Sequence, residues 1–369
     1  MLTTTWAVAA TPALGAPRRP KVRVLPASVA ADCSVDVTNS VAGWIQESPN
    51  GSTVRLGKNA CYRVDGTVAL VDRRHLTIDG NGATLRAVAP PGASRPHVVV
   101  QGGSHVTIRD LTVEGNNPGA GAVKSAYQPQ FESQHGFSFL GVHHALLDRV
   151  AATKVHGDFV YIGSTGKEGD PSYRWSDDVR VTRSTFSGSG RQGISITAGK
   201  NVRIDHDEIG GVPRSLFDFE SNTAAGGAID VVVEHNSTGA AVNFWLANKG
   251  AGLNTKRIVF DRNTMEQPTG GLVFVFGPTS GYRGPFTFTR NAVQFADSVH
   301  DEGSKGAFFF AGAQGVTVTK NTGTFPGGQT VPVVECRGCA DVTVDANLFP
   351  YAGQPLVQVP RPGQVPASD

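Results

Sequence analysis

A repeat is the feature that most restricts what this chain can fold into. The segments HVTIRDLTVEGN, DVRVTRSTFSGS, NVRIDHDEIGGV, DVVVEHNSTGAA, RIVFDRNTMEQP, FTFTRNAVQFAD, VTVTKNTGTFPG and VTVDANLFPYAG share one layout. Each is a short alternating strand, a polar pair often ending in Asn or Asp, and a second short run. With Val179, Val202, Val231, Ile258, Phe286, Val316 and Val342 as equivalents, the steps are 23, 29, 27, 28, 30 and 26 residues. Further short strands (GISI, LFDFES, VNFWLAN, LVFVFG, AFFFAG, PVVECRG) follow at matching offsets. No helical periodicity separates them, which excludes a βαβ architecture. An antiparallel sandwich has no need of the same strand-bend-strand layout in every repeat. A coil that stacks each turn on the last does, because each strand pairs in parallel with its equivalent one period away, ~4.8 Å along the axis. The expected fold is all-β: a right-handed, single-stranded parallel β-helix of about 9 to 11 turns.

The ends of a solenoid need covers. In DVTNSVAGWIQESPNGS, Asp36 is a candidate helix N-cap, and Val37, Val41, Trp44 and Ile45 share one helical face. The expected organisation is a leader over 1–30, one β-helix domain over 31–360 with its N-terminal cap in 31–62, and a tail over 361–369. The leader has a weak apolar centre from Trp6 to Ala10 and a small-residue exit near Ala16, without a basic residue before it. It reads as an imperfect secretory signal, the alternative being a disordered Ala/Pro-rich leader. Four cysteines in an apparently exported chain suggest two disulfides, Cys33 to Cys61 and Cys336 to Cys339. The pair in CRGC lacks the further ligands of a zinc site and the βαβ setting of a thioredoxin-like motif.

Thirty-three Lys and Arg against 31 Asp and Glu give a net charge of +2, with no long basic run, so nucleic acid is not an expected partner. No run approaches the length of a membrane span. The expectation is a secreted monomer with a polysaccharide partner. LTIDGNGATL, Leu76 to Leu85, resembles the opening turn of pectate-lyase-like β-helix proteins. The longer set GDFVYIG, RQGISITAGKNVRIDHDEI, RSLFDFESN and NFWLANKGAG is similar to secreted actinobacterial β-helix repeat proteins, over nearly the whole chain after residue 30. The resemblance implies the fold. It leaves activity open, because lyases, hydrolases, epimerases and non-catalytic surface proteins share this architecture.

In a β-helix strand alternate side chains enter the core and the others face out, so matching the inward residues of successive turns predicts which outward ones become neighbours. Pairing Ile194 and Ile196 with Phe217 and Phe219 stacks Ser195 under Asp218, Thr197 under Glu220 and Arg191 under Arg214. One turn earlier, Val160 and Ile162 point inward, Tyr161 joins Ser195, and Asp158 joins Gln192 and Ser215. One turn later either Val242 or Phe244 matches Phe217, and both options set Trp245 beside Asp218 or Glu220.

The candidate catalytic residues are Asp158, Asp218, Glu220 and Arg191. The candidate substrate-binding residues are His156, Tyr161, Gln192, Arg214, Asn222, Asn243, Trp245, Lys249 and Trp175. Two carboxylates at i and i+2 on one strand face lie about 6.5 to 7 Å apart, the lower end of the range for inverting glycoside hydrolysis. Arg191 or Arg214 could hold a sugar carboxylate or tune one acid, and Trp245 could stack on a pyranose. The insertion Gly163 to Asp178, with Tyr173, Arg174 and Trp175, and the stretch GNNPGAGAVKSAYQPQFESQH are expected as the two walls of a groove. The Asn of RNT, RNA and KNT is expected to form a ladder along stacked bends. His143 and His144 sit in a spacer read as lacking nearby acids, so no metal role is assigned to them.

Polygalacturonase-type hydrolases carry paired aspartates before one such strand and Gly-His-Gly before the next. Here the matching places read Gly157-Asp158 and Arg191-Gln192-Gly193. Pectate lyases use an acidic cluster for Ca²⁺ and an arginine base. Arg191 suits that base, but Asp218 and Glu220 alone make a thin calcium site, so no cofactor is expected and Ca²⁺ is only an option. The leading expectation is a polysaccharide-degrading hydrolase or lyase. The alternatives are a non-catalytic glycan or cell-wall binder and a purely structural solenoid.

Overall fold

A computed structural model describes residues 21–90, 92, 95–266, 271–277, 281–295, 307–324, 332–350 and 353–359. The chain folds as a right-handed parallel β-helix. One face is built in register from Val68–Val71, Val98–Gln101, Phe137–Leu140, Val160–Thr165, Ile194–Ile196, Phe217–Asp218, Leu246–Asn248, Val273–Phe276, Phe308–Ala311, Val334–Arg337 and Leu356–Val359. Among the described residues eleven strands lie on this face, in agreement with the expected 9 to 11 turns. All pair in parallel with the strand one turn away, as in Val160 with Ile194 and Ile194 with Phe217. The pairing explains the repeat, since an inward residue must stack on an inward residue. Val160, Ile162, Ile194, Ile196, Phe217 and Phe219 are accordingly buried in one continuous core.

The bends show why RN and KN recur. His235, Arg262, Arg290 and Lys320 take left-handed φ angles of 54°, 52°, 56° and 59°, a conformation that costs a non-glycine residue ~1 kcal/mol. Each turns the chain so that the next side chain, Asn236, Asn263, Asn291 or Asn321, folds inward. There Asn236 N–H donates to Asn263 Oδ1 (3.0 Å), Asn263 N–H to Asn291 Oδ1 (2.9 Å), Asn291 N–H to Asn321 Oδ1 (3.0 Å) and Asn321 N–H to Asn347 Oδ1 (2.9 Å). Each amide also donates to a core carbonyl of the preceding turn, as Asn263 Nδ2 does to Val233 (2.8 Å). The ladder thus satisfies buried backbone groups that a tight corner would otherwise orphan.

A helix, Thr38–Glu47, covers the first turns with Val41 and Ile45 buried. Val37, not Asp36, is the N-cap, and Asp36 one residue earlier accepts through Oδ1 from Thr38 N–H (3.0 Å). Cys33 and Cys61 form the expected disulfide, tying the strand before the helix to the first turn. It closes a span of 28 residues. Replacing both cysteines by alanine should lower the stability by about 3 to 4 kcal/mol. Urea unfolding reads this as a lower midpoint, with a slope that rises as the unfolded chain opens further, and an unchanged midpoint would show that the cap holds without the bond.

Two expectations about the ends need correction. Lys21–Val24 pairs with Ser52–Arg55, so the β-helix takes in chain that was read as leader; residues 1–20 and the tail 361–369 lie outside the described residues. Cys336 and Cys339 are thiols rather than a disulfide. Cys336 points into the core, and Cys339 Sγ donates to the Phe310 carbonyl (3.6 Å). The neighbouring Cys339 thiol and burial push the Cys336 thiol far above its ordinary range. Among the described residues no helix is long and apolar enough to cross a membrane.

Candidate functional site

The register of the middle turns brings the expected side chains together. Tyr161 pairs with Ser195, and Ser195 with Asp218. Asp158 is fully buried at the bend before its strand. Its carboxylate accepts from Arg191 Nη1 (2.8 Å) and the Gln192 backbone N–H (3.0 Å). Gln192 is oriented without ambiguity. Its Oε1 accepts from Ser215 N–H (2.7 Å), so its Nε2 faces Asp218 Oδ2 (2.9 Å). One glutamine therefore joins the two acids.

The acids stand in different fields. Arg191, 18% exposed, is held above its ordinary basicity first by Asp158. Asp218 has no such cation in contact. Burial, reinforced by the negative charge of Glu220, pushes its carboxyl up to about 7. Oδ2 is occupied by Gln192, while Oδ1 is buried and has no partner among the described residues. Glu220 is half-buried on the same outward side, two residues on.

His135 belongs to this group and was not anticipated. Asp158 N–H donates to its Nδ1 (3.1 Å), Asp158 Oδ2 lies 3.5 Å from the same nitrogen, and its ring stacks on Tyr161 (4.6 Å between centroids). Burial pushes His135 down to about 4, which keeps Nδ1 free to accept. The signal was available: matching Phe137 with Val160 sets His135 over Asp158.

Both expected walls touch the strip. In the first, Tyr127 donates to Glu132 Oε2 (2.7 Å), Arg214 lies over the Tyr127 ring (4.8 Å), and Glu132 lies 3.6 Å from Arg191 Nε. This segment is a strap across the arginines. The second is a hairpin in which Ser164 and Thr165 pair antiparallel with Trp175 and Arg174. It leans on the loop after Glu220, with Trp175 Nε1 donating to Ala225 O (3.1 Å) and Glu168 accepting from Ala225 N–H (2.9 Å). Between hairpin and strip lies a recess of about 310 Å³, lined among others by Tyr161, Thr197, Asn222, Lys167, Glu168 and Tyr173. Tyr161 Oη meets Thr197 Oγ1 (2.9 Å), and Asn222 Nδ2 donates to Tyr161 Oη (3.4 Å).

Other expected contacts fall elsewhere. Trp245 is fully buried, edge-on to Phe260 at 4.9 Å. Phe217 pairs with Leu246 and not with Val242 or Phe244. Trp245 therefore occupies the corner just before the strand, where the chain turns two consecutive residues inward, as it does at Leu216 and Phe217. Parity fails at that corner. Asp218 instead neighbours Ala247. His156 lies beneath the strap against Phe131 (5.1 Å), with neither ring nitrogen partnered. Asn243 is half-buried, its N–H on the Arg214 carbonyl (3.1 Å), and Lys249 is exposed. Arg174 donates within its own hairpin, to Pro171 O (2.5 Å) and Tyr173 O (3.0 Å). His143 and His144 do have acids nearby: His143 Nδ1 lies 3.3 Å from Asp177 Oδ2, and His144 Nδ1 contacts Asp178. These pairs join adjacent turns, which the spacer reading did not stack. Among the described residues no three His, Cys, Asp or Glu side chains converge to hold a metal ion.

No protein-family model matches the chain, and no curated protein matches it. Solved structures do. Bacteriophage phi29 gene product 12, in its pre-mature form, matches with a TM-score of 0.68 at 15% identity over 87% of this chain, which spans 45% of that protein's length. The A-module of the mannuronan C-5 epimerase AlgE6 from Azotobacter vinelandii matches at 0.64 and 14% identity, over 91% of this chain and 99% of the module. The endo-xylogalacturonan hydrolase from Aspergillus tubingensis matches at 0.63 and 12% identity, over 94% and 98%. These likenesses show the fold. At such identities the chemistry has to be argued from the side chains.

Proposed function

We propose that this protein is a polysaccharide-cleaving enzyme that works by hydrolysis, with Asp218 as proton donor and Glu220 as base. One arrangement carries the reading: a buried carboxyl pushed up to about 7, pinned at Oδ2 by Gln192, with Oδ1 unpartnered among the described residues and a second carboxylate two residues away. A buried acid raised toward neutrality beside a second carboxylate is how glycosidases divide acid from base. Asp218 Oδ1 gives its proton to the glycosidic oxygen as the bond to the anomeric carbon breaks. Glu220 takes a proton from the water that attacks that carbon, and exchange with solvent restores both groups. Asp158 acts through Arg191 and Gln192, holding Gln192 in the orientation that points its amide at Asp218.

Arg214, half-buried and stacked on Tyr127, is the cation available to a sugar carboxylate, and the recess beside Tyr161 and Asn222 suits a neighbouring ring. Asp218 is only 2% exposed, so the site has to open for a substrate to reach it. The epimerase and hydrolase named above act, by their names, on mannuronan and xylogalacturonan, which supports a glycan substrate for this scaffold. The test is a panel of soluble polysaccharides read for new reducing ends and for ultraviolet-absorbing unsaturated ends. Reducing ends without unsaturation are expected. Unsaturated ends would replace hydrolysis by elimination, and saturable binding without cleavage would make the strip a glycan-binding surface.

A further inference from the structure

Beyond the acids, the same sheet face changes character. Along one outward column the register runs Asp218, Ala247, Phe274, Phe309, Glu335. Phe274 stacks on Phe244 (4.9 Å between centroids, planes 20° apart), on Phe309 (5.3 Å, 19°) and beside Phe276 (6.2 Å, 6°). Phe276 is 55% exposed, and Phe244 and Phe274 are half-buried. The core does not require these rings, since Val273, Val275, Phe308 and Phe310 of the same strands already fill it. At the far end Arg337 lies over Phe309 (5.2 Å) and donates to Glu335 Oε1 (2.9 Å).

The pairing of Phe244 with Phe274 repeats that of Gln192 with Asp218. In each, the residue at the bend of one turn meets the outward strand residue of the next turn. Two turns separate the polar version from the aromatic one. Ala247 between them leaves the floor low, and at one strand spacing per turn Phe274 stands ~10 Å along the axis from Asp218.

We infer that the shelf of Phe244, Phe274 and Phe276 is a glycan subsite that takes the apolar C–H faces of pyranose rings. Its occupants are further rings of the chain held at Asp218 and Glu220, so this rests on the hydrolase reading for the cleavage point. A sugar ring offers an apolar face and a hydroxylated rim. It can cover exposed phenylalanine while keeping its hydroxyls in water. Continuity with the acid strip, on the same face and in the same register, is what selects a sugar chain over a protein partner.

The experiment compares wild type, Phe274→Ala and Phe274→Tyr on alginate, polygalacturonate, xylan and mannan, with thermal unfolding as a check that each variant is folded. On a polymer that wild type cleaves, Phe274→Ala should raise KM about 10-fold, the worth of one aromatic contact. The expected kcat is unchanged, the shortest cleavable oligosaccharide should be unaffected, and Phe274→Tyr should restore the polymer KM. Unchanged polymer kinetics, or an equal loss on short and long substrates, would overturn the subsite. If wild type cleaves none of the four, affinity electrophoresis through gels of the same polymers tests the shelf alone. Retardation of wild type but not of Phe274→Ala then upholds it, and equal mobility rejects it. A wild-type dimer that Phe274→Ala dissolves would assign the shelf to a second copy of the chain and also reject it.

Discussion

Asp218→Asn is expected to lose turnover by about 10² to 10⁴-fold, the usual worth of a positioned general acid, while the folded protein becomes more stable at pH 8. The two effects have one cause. Asp218 is pushed up to about 7 by burial, from an ordinary value of 3.8. In the unfolded chain the proton leaves near pH 4, whereas in the folded chain it stays until about pH 7. The unfolded state therefore gains more from ionisation, and Asp218 costs stability progressively between pH 4 and pH 7. An asparagine carries no such cost and no proton to donate. Wild-type kcat should also fall as pH rises through 7, because the acid is then lost. Turnover on a cleaved polysaccharide and urea midpoints at pH 5 and pH 8 decide it together. Full turnover in Asp218→Asn would sink the assignment, and lost turnover with lower stability at pH 8 would show a residue needed only for the fold.

The fold was readable because stacking imposes the same demand on every turn. An inward Ile194 must meet an inward Phe217, so parity and period together specify register. That logic also delivered Asp158, Arg191, Gln192 and Asp218 as one connected group. It failed where the chain leaves the extended conformation. Trp245 and Leu246 are adjacent and both buried, because the corner breaks alternation, and in VNFWLAN nothing marks where the corner ends. The strap was legible as an insertion, but its contacts were not. Tyr127 on Arg214 and Glu132 beside Arg191 join residues separated by most of the site, and no periodicity relates them. The strands LVFVFG and AFFFAG entered the sequence reading only as members of the repeat. Alternation does place Phe274 outward, but exposure depends on what covers it, which is a property of the packed molecule.

The asparagine ladder contains an aspartate, and replacing it should stabilise the protein. Asp207 stands where later turns place Asn236, Asn263, Asn291 and Asn321. It keeps two of the ladder's bonds: Ser184 N–H donates to its Oδ1 (2.7 Å), and its own N–H donates to Asn236 Oδ1 (2.9 Å). The third is missing. Asn236 Nδ2 donates to the Ile204 carbonyl (3.0 Å), but Asp207 Oδ2 is buried with no partner among the described residues. Burial, against the help of Ser184 and with the charge of Asp205 added, pushes Asp207 up to about 8. Below pH 4 both folded and unfolded chains keep this proton. From about pH 4 to pH 8 only the folded chain does, so wild-type stability is drawn down across that span. Asp207→Asn supplies an amide donor, which by the ladder's geometry meets the Val181 carbonyl, and removes the titration. The stability difference between Asp207→Asn and wild type should thus grow from pH 5 to pH 8 and reach a few kcal/mol. Subtracting wild type at each pH cancels every other titrating group, Asp218 included. An equal difference at both pH values would mean that Asp207 is not held protonated by its burial. A less stable variant at pH 8 would mean that the corner needs a carboxylate.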